Sequence, residues 1–187
     1  MSGTTRPPRI LAIAGSDSSG GAGIQADVKT ITMLGGYAMT AVTALTAQNT
    51  LGVTQVDAVD PAMVAAQIDA CVSDIGADAV KIGMLGSAEI ADAVADRLAA
   101  LAVPIVFDPV MVATSGAVLA DVATIAAFDR LMALATLTTP NLAELEALGG
   151  DDRLRGLTYL AKGGDADGPV VVDRLIRADG SELRFEG

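Results

Sequence analysis

Short apolar runs without polar alternation recur along the chain, and each is followed by a stretch of helical periodicity. Runs of that kind mark strands buried on both faces of a parallel sheet, with the helices as crossovers. Ile10–Ala14 reads as the first strand, and Ile24–Leu34 as a helix closed by Gly35 and Gly36. The β-branched run MTAVTALT (Met39–Thr46) reads as the second strand. LGVTQVDAVD (51–60) reads as a short strand or an extended loop. Asp60 before Pro61 opens a helix to about Ile75, with Asp as N-cap and Pro in the first turn, and Gly76 stops it. ADAVKIGML (77–85) is the next strand. Ser87 caps a helix through about Leu101, with Glu89 in its first turn. VPIVFDPVMV (103–112) is a strongly apolar strand that carries Asp108. A helix spans Ala120–Ala135, and TLTTPN (136–141) is a strand leading into the helix LAELEAL (142–148). The predicted architecture is α/β, a parallel sheet covered on both faces with right-handed crossovers.

The end of the chain breaks this rhythm. GPVVVDRLIRADGSELRFEG (168–187) reads as a hairpin with Asp179 and Gly180 in the turn. The preceding GGDDRLRGLTYLAKGG (149–164) is short for a full helix plus a strand, since a crossover takes about ten residues or more. A crossover segment near 150–157 is therefore expected to be lacking.

Composition narrows the chemistry. The 187 residues make one domain with a sizeable core. Aromatics are 3% and the net charge is −11, which excludes stacked-aromatic or basic-faced nucleic-acid binders. An anionic substrate would need local positive potential: a helix N-terminus, a single Lys or a bound metal. The chain has no His, so His triads, His general bases and His–metal sites are excluded together. Its one cysteine, Cys71, sits in an Ala-rich helical pattern and reads as a buried structural thiol. No apolar run reaches about 18 residues, and MSGTTRPPR lacks a signal-peptide core, so a soluble cytoplasmic protein is expected.

Five polar or glycine-rich features fall at carboxyl ends of predicted strands, where parallel α/β sheets bind ligands. GSDSSGG (15–21) begins like a Walker A loop but has Gly21 and Ala22 where Lys and Ser or Thr are required. It is either a place of close backbone approach to a ligand, with Asp27 aimed at that space, or a flexible turn. Gln48 and Asn49 can read a heterocycle edge or cap the next turn. Asp108, behind four apolar residues, needs a partner: a hydrated Mg²⁺ or a local Asx turn. In TPNLAE, Asn141 and Glu144 have capping-box spacing, and Glu144 would share a rim with Asp108. Lys162, before Gly163 and Gly164, either neutralises phosphate or is a surface Lys before a turn.

Taken in order, IAGSDSSGGAGIQADVKT, TALTAQNTLGV, VKIGML, DPVMVATSG, TPNLAELEAL and AKGGD resemble the hydroxymethylpyrimidine/phosphomethylpyrimidine kinases of thiamine biosynthesis. The resemblance implies a single ribokinase-like domain over 1–187, three layers α/β/α with a mostly parallel central sheet. It implies ATP- and Mg²⁺-dependent phosphorylation of 4-amino-5-hydroxymethyl-2-methylpyrimidine, and of its monophosphate, by a homodimer without nucleic-acid or membrane partners. In that reading Gly15, Asp27, Gln48, Met84 and Val110 bind the pyrimidine. Asp108 and Glu144 hold the Mg²⁺–water shell, and Asn141 and Lys162 face the ATP phosphates. Family members continue into a GTGC-type turn that cradles the migrating phosphoryl group and supplies the family's catalytic Cys. The 187 residues contain no such motif, so no catalytic residue is assigned and the C-terminal nucleotide-binding part is expected to be lacking. A pyridoxine-type kinase and a non-catalytic pyrimidine-binding module are the alternatives. A G-x-G-x-x-G dehydrogenase is disfavoured, because no such motif follows the first strand.

Overall fold

The computed structural model describes residues 6–112, 119–164 and 170–187. The ATSG of DPVMVATSG, the Asp165 of AKGGD, and Gly168 and Pro169 of the expected hairpin lie outside these residues.

Eight strands form one sheet in the order β10-β9-β8-β7-β6-β5-β1-β2. They are β1 (Arg9–Ala14), β2 (Tyr37–Val42), β5 (Ala79–Ile82), β6 (Ile105–Phe107), β7 (Leu137–Thr138), β8 (Tyr159–Ala161), β9 (Val172–Ile176) and β10 (Glu182–Glu186). Pairing is parallel from β2 through β8 and antiparallel for β9 and β10. A separate two-stranded hairpin is made by β3 (Ala44–Asn49) and β4 (Gly52–Ala58). The helices are α1 (Gly23–Met33), α2 (Pro61–Asp74), α3 (Ala88–Leu98), α4 (Val122–Leu134), α5 (Leu142–Ala147) and α6 (Gly150–Arg153).

The predicted caps are present: Asp60 accepts from the Ala62 amide, and Ser87 from that of Ile90. Gly35 and Gly76 follow their helices with φ of 82° and 77°, the left-handed region that favours glycine. The terminal hairpin is antiparallel, with Gly180 in its turn at φ 83°.

The register of β1 on β5 explains the layering. Leu11 pairs with Val80 and Ile13 with Ile82, and all four join the buried cluster that holds Ile68 of α2, Val94 of α3 and Phe128 of α4. The alternate positions, Ala12 opposite Lys81, face α1, whose Asp27 bonds Lys81. Large apolar side chains thus fill one face of the sheet, and small ones admit α1 on the other.

Two expectations differ from the structure. The run 39–46 is not one strand: β2 ends at Val42, and the chain crosses at buried Thr43 into the separate hairpin. Thr43 donates from its amide to Ala14 O (3.0 Å) and from its hydroxyl to Met84 O (2.7 Å), so tertiary bonds break a run that is locally continuous. LGVTQVDAVD supplies β4, antiparallel to β3. Cys71 is half-buried rather than buried, against the core edge, and burial pushes its thiol up. The passage from β7 to β8 consists of α5 and the four-residue α6. Among the described residues no helix is long and apolar enough to cross a membrane.

Candidate functional site

The strand order reverses direction at β1, which has β2 on one side and β5 on the other. Open α/β sheets bind ligands in the crevice beyond the strands' carboxyl ends at such a switch point. A cavity of about 270 Å³ lies there, lined by residues that include Gly15, Asp17, Gln48, Lys81, Met84 and Asp108. Val110 also lines it. Drug-sized sites run from roughly 300 to 1,000 Å³, so this volume suits a single ring.

The glycine turn forms the cavity's wall and is tied down at every polar position. Gly15 N donates to Met84 O at 3.1 Å, and a Cβ on Gly15 would sit 2.5 Å from Met84 Cε. Gly23, at φ 55°, opens α1, and a Cβ there would overlap the Gly15 carbonyl oxygen. Ser18 Oγ donates to Gln48 O (2.7 Å) and accepts from Gln48 N (2.8 Å). Thr46 Oγ1 donates to Ser16 O at 2.7 Å. The serines therefore stitch the turn to β3, and Gln48 keeps its side-chain amide at the cavity. Asn49 takes the other course left open: its Oδ1 accepts from Leu51 N and Gly52 N, capping the hairpin turn.

Asp17 is buried, 2% exposed, and organises the turn from within. Its Oδ1 accepts from Ser19 N (2.8 Å) and Ser19 Oγ (2.7 Å), and its Oδ2 from Gly21 N (2.9 Å) and Ala22 N (2.8 Å). Burial works against the charge, but these bonds outweigh it and hold the carboxyl below its usual range.

Asp27 stands apart from the other predicted substrate residues. It bonds Lys81 Nζ at 3.0 Å, and Lys81, rather than Asp27, lines the cavity. Lys81 was missed by sequence reasoning. The available signal was a lone cation between Val80 and Ile82 in an otherwise apolar strand, which has to meet a counter-charge.

A second group gathers at the ends of β6, β7 and β8. Asp108 Oδ1 accepts from Lys162 Nζ (2.8 Å) and Thr139 Oγ1 (3.2 Å), so Asp108's partner is a distant Lys rather than its own backbone. Asn141 bridges Lys162 in parallel fashion. Asn141 and Glu144 form the predicted capping box, both bonds being 2.8 Å. Glu144 is buried, which pushes its carboxyl up; Asp108 adds to this, while the Asn141 and Met111 amides and the Lys162 charge oppose it. Among the described residues no three His, Cys, Asp or Glu side chains cluster as metal ligands. Asp108 and Glu144 are hard oxygen donors of the kind Mg²⁺ takes in ones and twos, with waters and phosphates completing its shell.

A family model described as phosphomethylpyrimidine kinase matches residues 17–186. The chain belongs to that family. It is 54% identical over 146 residues to a hydroxymethylpyrimidine/phosphomethylpyrimidine kinase of Synechococcus elongatus, a match covering 78% of this chain and 56% of the relative. The chain thus spans about half the length of that curated relative. The crystal structure of phosphomethylpyrimidine kinase from Clostridium difficile 630 superposes with a TM-score of 0.83 at 37% identity, covering 95% of this chain and 84% of that one. The ADP complex of Bacillus subtilis pyridoxal kinase gives 0.85 at 32% identity, covering 97% and 75%. The ribokinase-like fold expected from the motifs is the fold observed.

Proposed function

We propose that the chain is a kinase that phosphorylates 4-amino-5-hydroxymethyl-2-methylpyrimidine, and then its monophosphate, with ATP and Mg²⁺. One observation carries this reading. Asp108 lines the ring-sized cavity and at the same time bonds Lys162, so a pocket for a neutral ring opens directly onto a carboxylate–lysine cluster.

In this reading Gln48 reads the aminopyrimidine edge, and Gly15, Met84 and Val110 pack against the ring. Asp27 acts on the substrate through Lys81. The hydroxymethyl oxygen is aimed at the Asp108–Lys162 side. There it attacks the terminal phosphorus of ATP, the bond to the bridging oxygen breaks, ADP leaves and the hydroxyl proton is released. Such transfers depend on positioning and charge neutralisation, which needs no His. Lys162 meets phosphate oxygens as a point charge and Asn141 lies beside it. Asp108 and Glu144 are the residues that would hold Mg²⁺, which when bound neutralises charge on the transferring group. The exposed apolar side chains of the hairpin, Leu45, Leu51 and Val56, are consistent with a homodimer.

Turnover tests the assignment. With ATP and Mg²⁺, the pyrimidine is expected to be phosphorylated in preference to pyridoxine. Equal or greater turnover of pyridoxine would move the chain to the pyridoxal-kinase branch that the Bacillus subtilis neighbour represents. Pyrimidine binding by calorimetry without any ATP affinity would make it a binding module.

A further inference from the structure

Lys81 is the one cationic side chain among the described residues that line the ring cavity. It sits inside β5, with Ala12 of β1 and Val106 of β6 beside it in register. Neither apolar neighbour can meet an ammonium, and Asp27 of α1 reaches it at 3.0 Å instead. Asp27 stays behind the wall: its side chain is 17% exposed against 30% for Lys81, and it does not line the cavity. An ammonium carries three N–H donors. Among the described residues Asp27 is its only hydrogen-bond partner. The ammonium's place is marked from a second side as well. A Cβ on Gly83, which also lines the cavity, would lie 2.9 Å from Lys81 Nζ. The bare glycine leaves the room that the ammonium fills at the cavity wall.

The other charged groups of the lining are already engaged. Asp17 accepts from its own turn, and Asp108 accepts from Lys162 and Thr139. Among the uncharged donors, the Thr46 hydroxyl donates to Ser16 O, which leaves the Gln48 amide and the Ser16 hydroxyl. Lys81 alone is a donor held in place by an ion pair. An aminopyrimidine presents two ring nitrogens, both acceptors, whereas a pyridine presents one. A single side-chain amide can pair with the amino group and the ring nitrogen next to it, N3. The second nitrogen, N1, then lacks a donor. We infer that Lys81 is a specificity-determining residue: its ammonium, neutralised by Asp27, donates to N1 and selects a pyrimidine over a pyridine ring. A neutralised ammonium suits an uncharged acceptor, where a bare lysine would draw phosphate. The assignment rests on the kinase reading above and names the atom of its substrate that Lys81 meets.

Calorimetry without nucleotide tests the inference with two ligands: 4-amino-5-hydroxymethyl-2-methylpyrimidine, and its analogue with CH in place of N1. Wild type should bind the pyrimidine about tenfold more tightly or better, the size of a hydrogen bond from a charged donor. Lys81→Met, which keeps the apolar stem and loses the donors, should bind the two ligands within about twofold of each other. Gln48→Ala should weaken both and keep the preference, because its amide reads the other nitrogen. A Lys81–Asp27 pair that merely ties α1 to β5 would lower both affinities in Lys81→Met and leave the preference standing. That result overturns the inference. So does a preference that survives Lys81→Met and disappears in Ser16→Ala. Should Lys81→Met fail to fold, Gln48→Ala still decides: a kept preference supports the inference, and a lost one overturns it. Wild type that binds both ligands equally overturns the inference and leaves the kinase reading intact. Wild type that binds neither defeats both.

Discussion

Two regions share the carboxyl edge of the sheet and are built on opposite plans. At β1 and β5 the cavity wall is backbone, and its charges are cancelled inside the wall: Asp17 by amides and a hydroxyl, Lys81 by Asp27. At β6 to β8 the polar groups are side chains paired across strands: Lys162 on Asp108, with Glu144 buried against its preference for charge. On the proposed reading, the first region presents a fixed shape to a neutral ring. The second holds a cation and two carboxylates, which on the same reading meet phosphate and metal. In that reading one rim separates ring recognition from charge handling without any His.

The largest effect that would break this comparison is expected at Gly23. Gly23→Ala places a Cβ against the Gly15 carbonyl at a positive φ, and strain of this kind costs on the order of 1–3 kcal/mol. The turn must move, so pyrimidine binding should fall below detection in calorimetry while α2, α3 and α4 keep the fold's helical signal. Retained affinity would show that the wall is not fixed.

Next in size is Lys162→Met. It removes a charge proposed to face the migrating phosphoryl group, where loss of one stabilising donor costs roughly 10²–10³ in kcat. The KM for pyrimidine should change little, because Lys162 does not line the ring cavity. A large rise in that KM with kcat intact would merge the two regions into one.

The smallest effect is acid sensitivity of the first region. The folded-state pKa of Asp17 is depressed, so its contribution to stability is present above the unfolded value of about 3.9 and is lost as pH falls through the lower folded value. Tm should therefore drop as pH falls from about 5 toward 3, and Asp17→Asn should show a shallower drop. Parallel Tm curves for the two proteins would contradict the assignment of that charge to the turn.

How much of this was legible in the sequence follows from the range of the interactions. Caps are local, so Asp60, Ser87 and the Asn141–Glu144 box could be read from spacing alone. Gly15, Gln48 and Asp108 were legible as glycine or polar positions at strand ends, Met84 and Val110 only through the family resemblance, and all five meet in one cavity. The pairs Lys81–Asp27 and Lys162–Asp108 each span 54 residues and depend on strand order, which periodicity does not encode. Asp17 was hidden for another reason. An Asp two residues before a Ser signals a local Asx turn, but its reach to Gly21 and Ala22 depends on how the glycines fold the loop back. The break at Thr43 is likewise tertiary, made by bonds to Ala14 and Met84 from inside a run that looks continuous.

The division between the two regions is tested most directly by calorimetry of 4-amino-5-hydroxymethyl-2-methylpyrimidine, without nucleotide, against wild type, Gln48→Ala and Lys162→Met. Loss of the Gln48 amide contact should weaken binding by about tenfold, the size of one hydrogen bond to a ring edge, and Lys162→Met should leave the affinity within about twofold. Unchanged affinity in Gln48→Ala, with the loss appearing in Lys162→Met, would contradict the account.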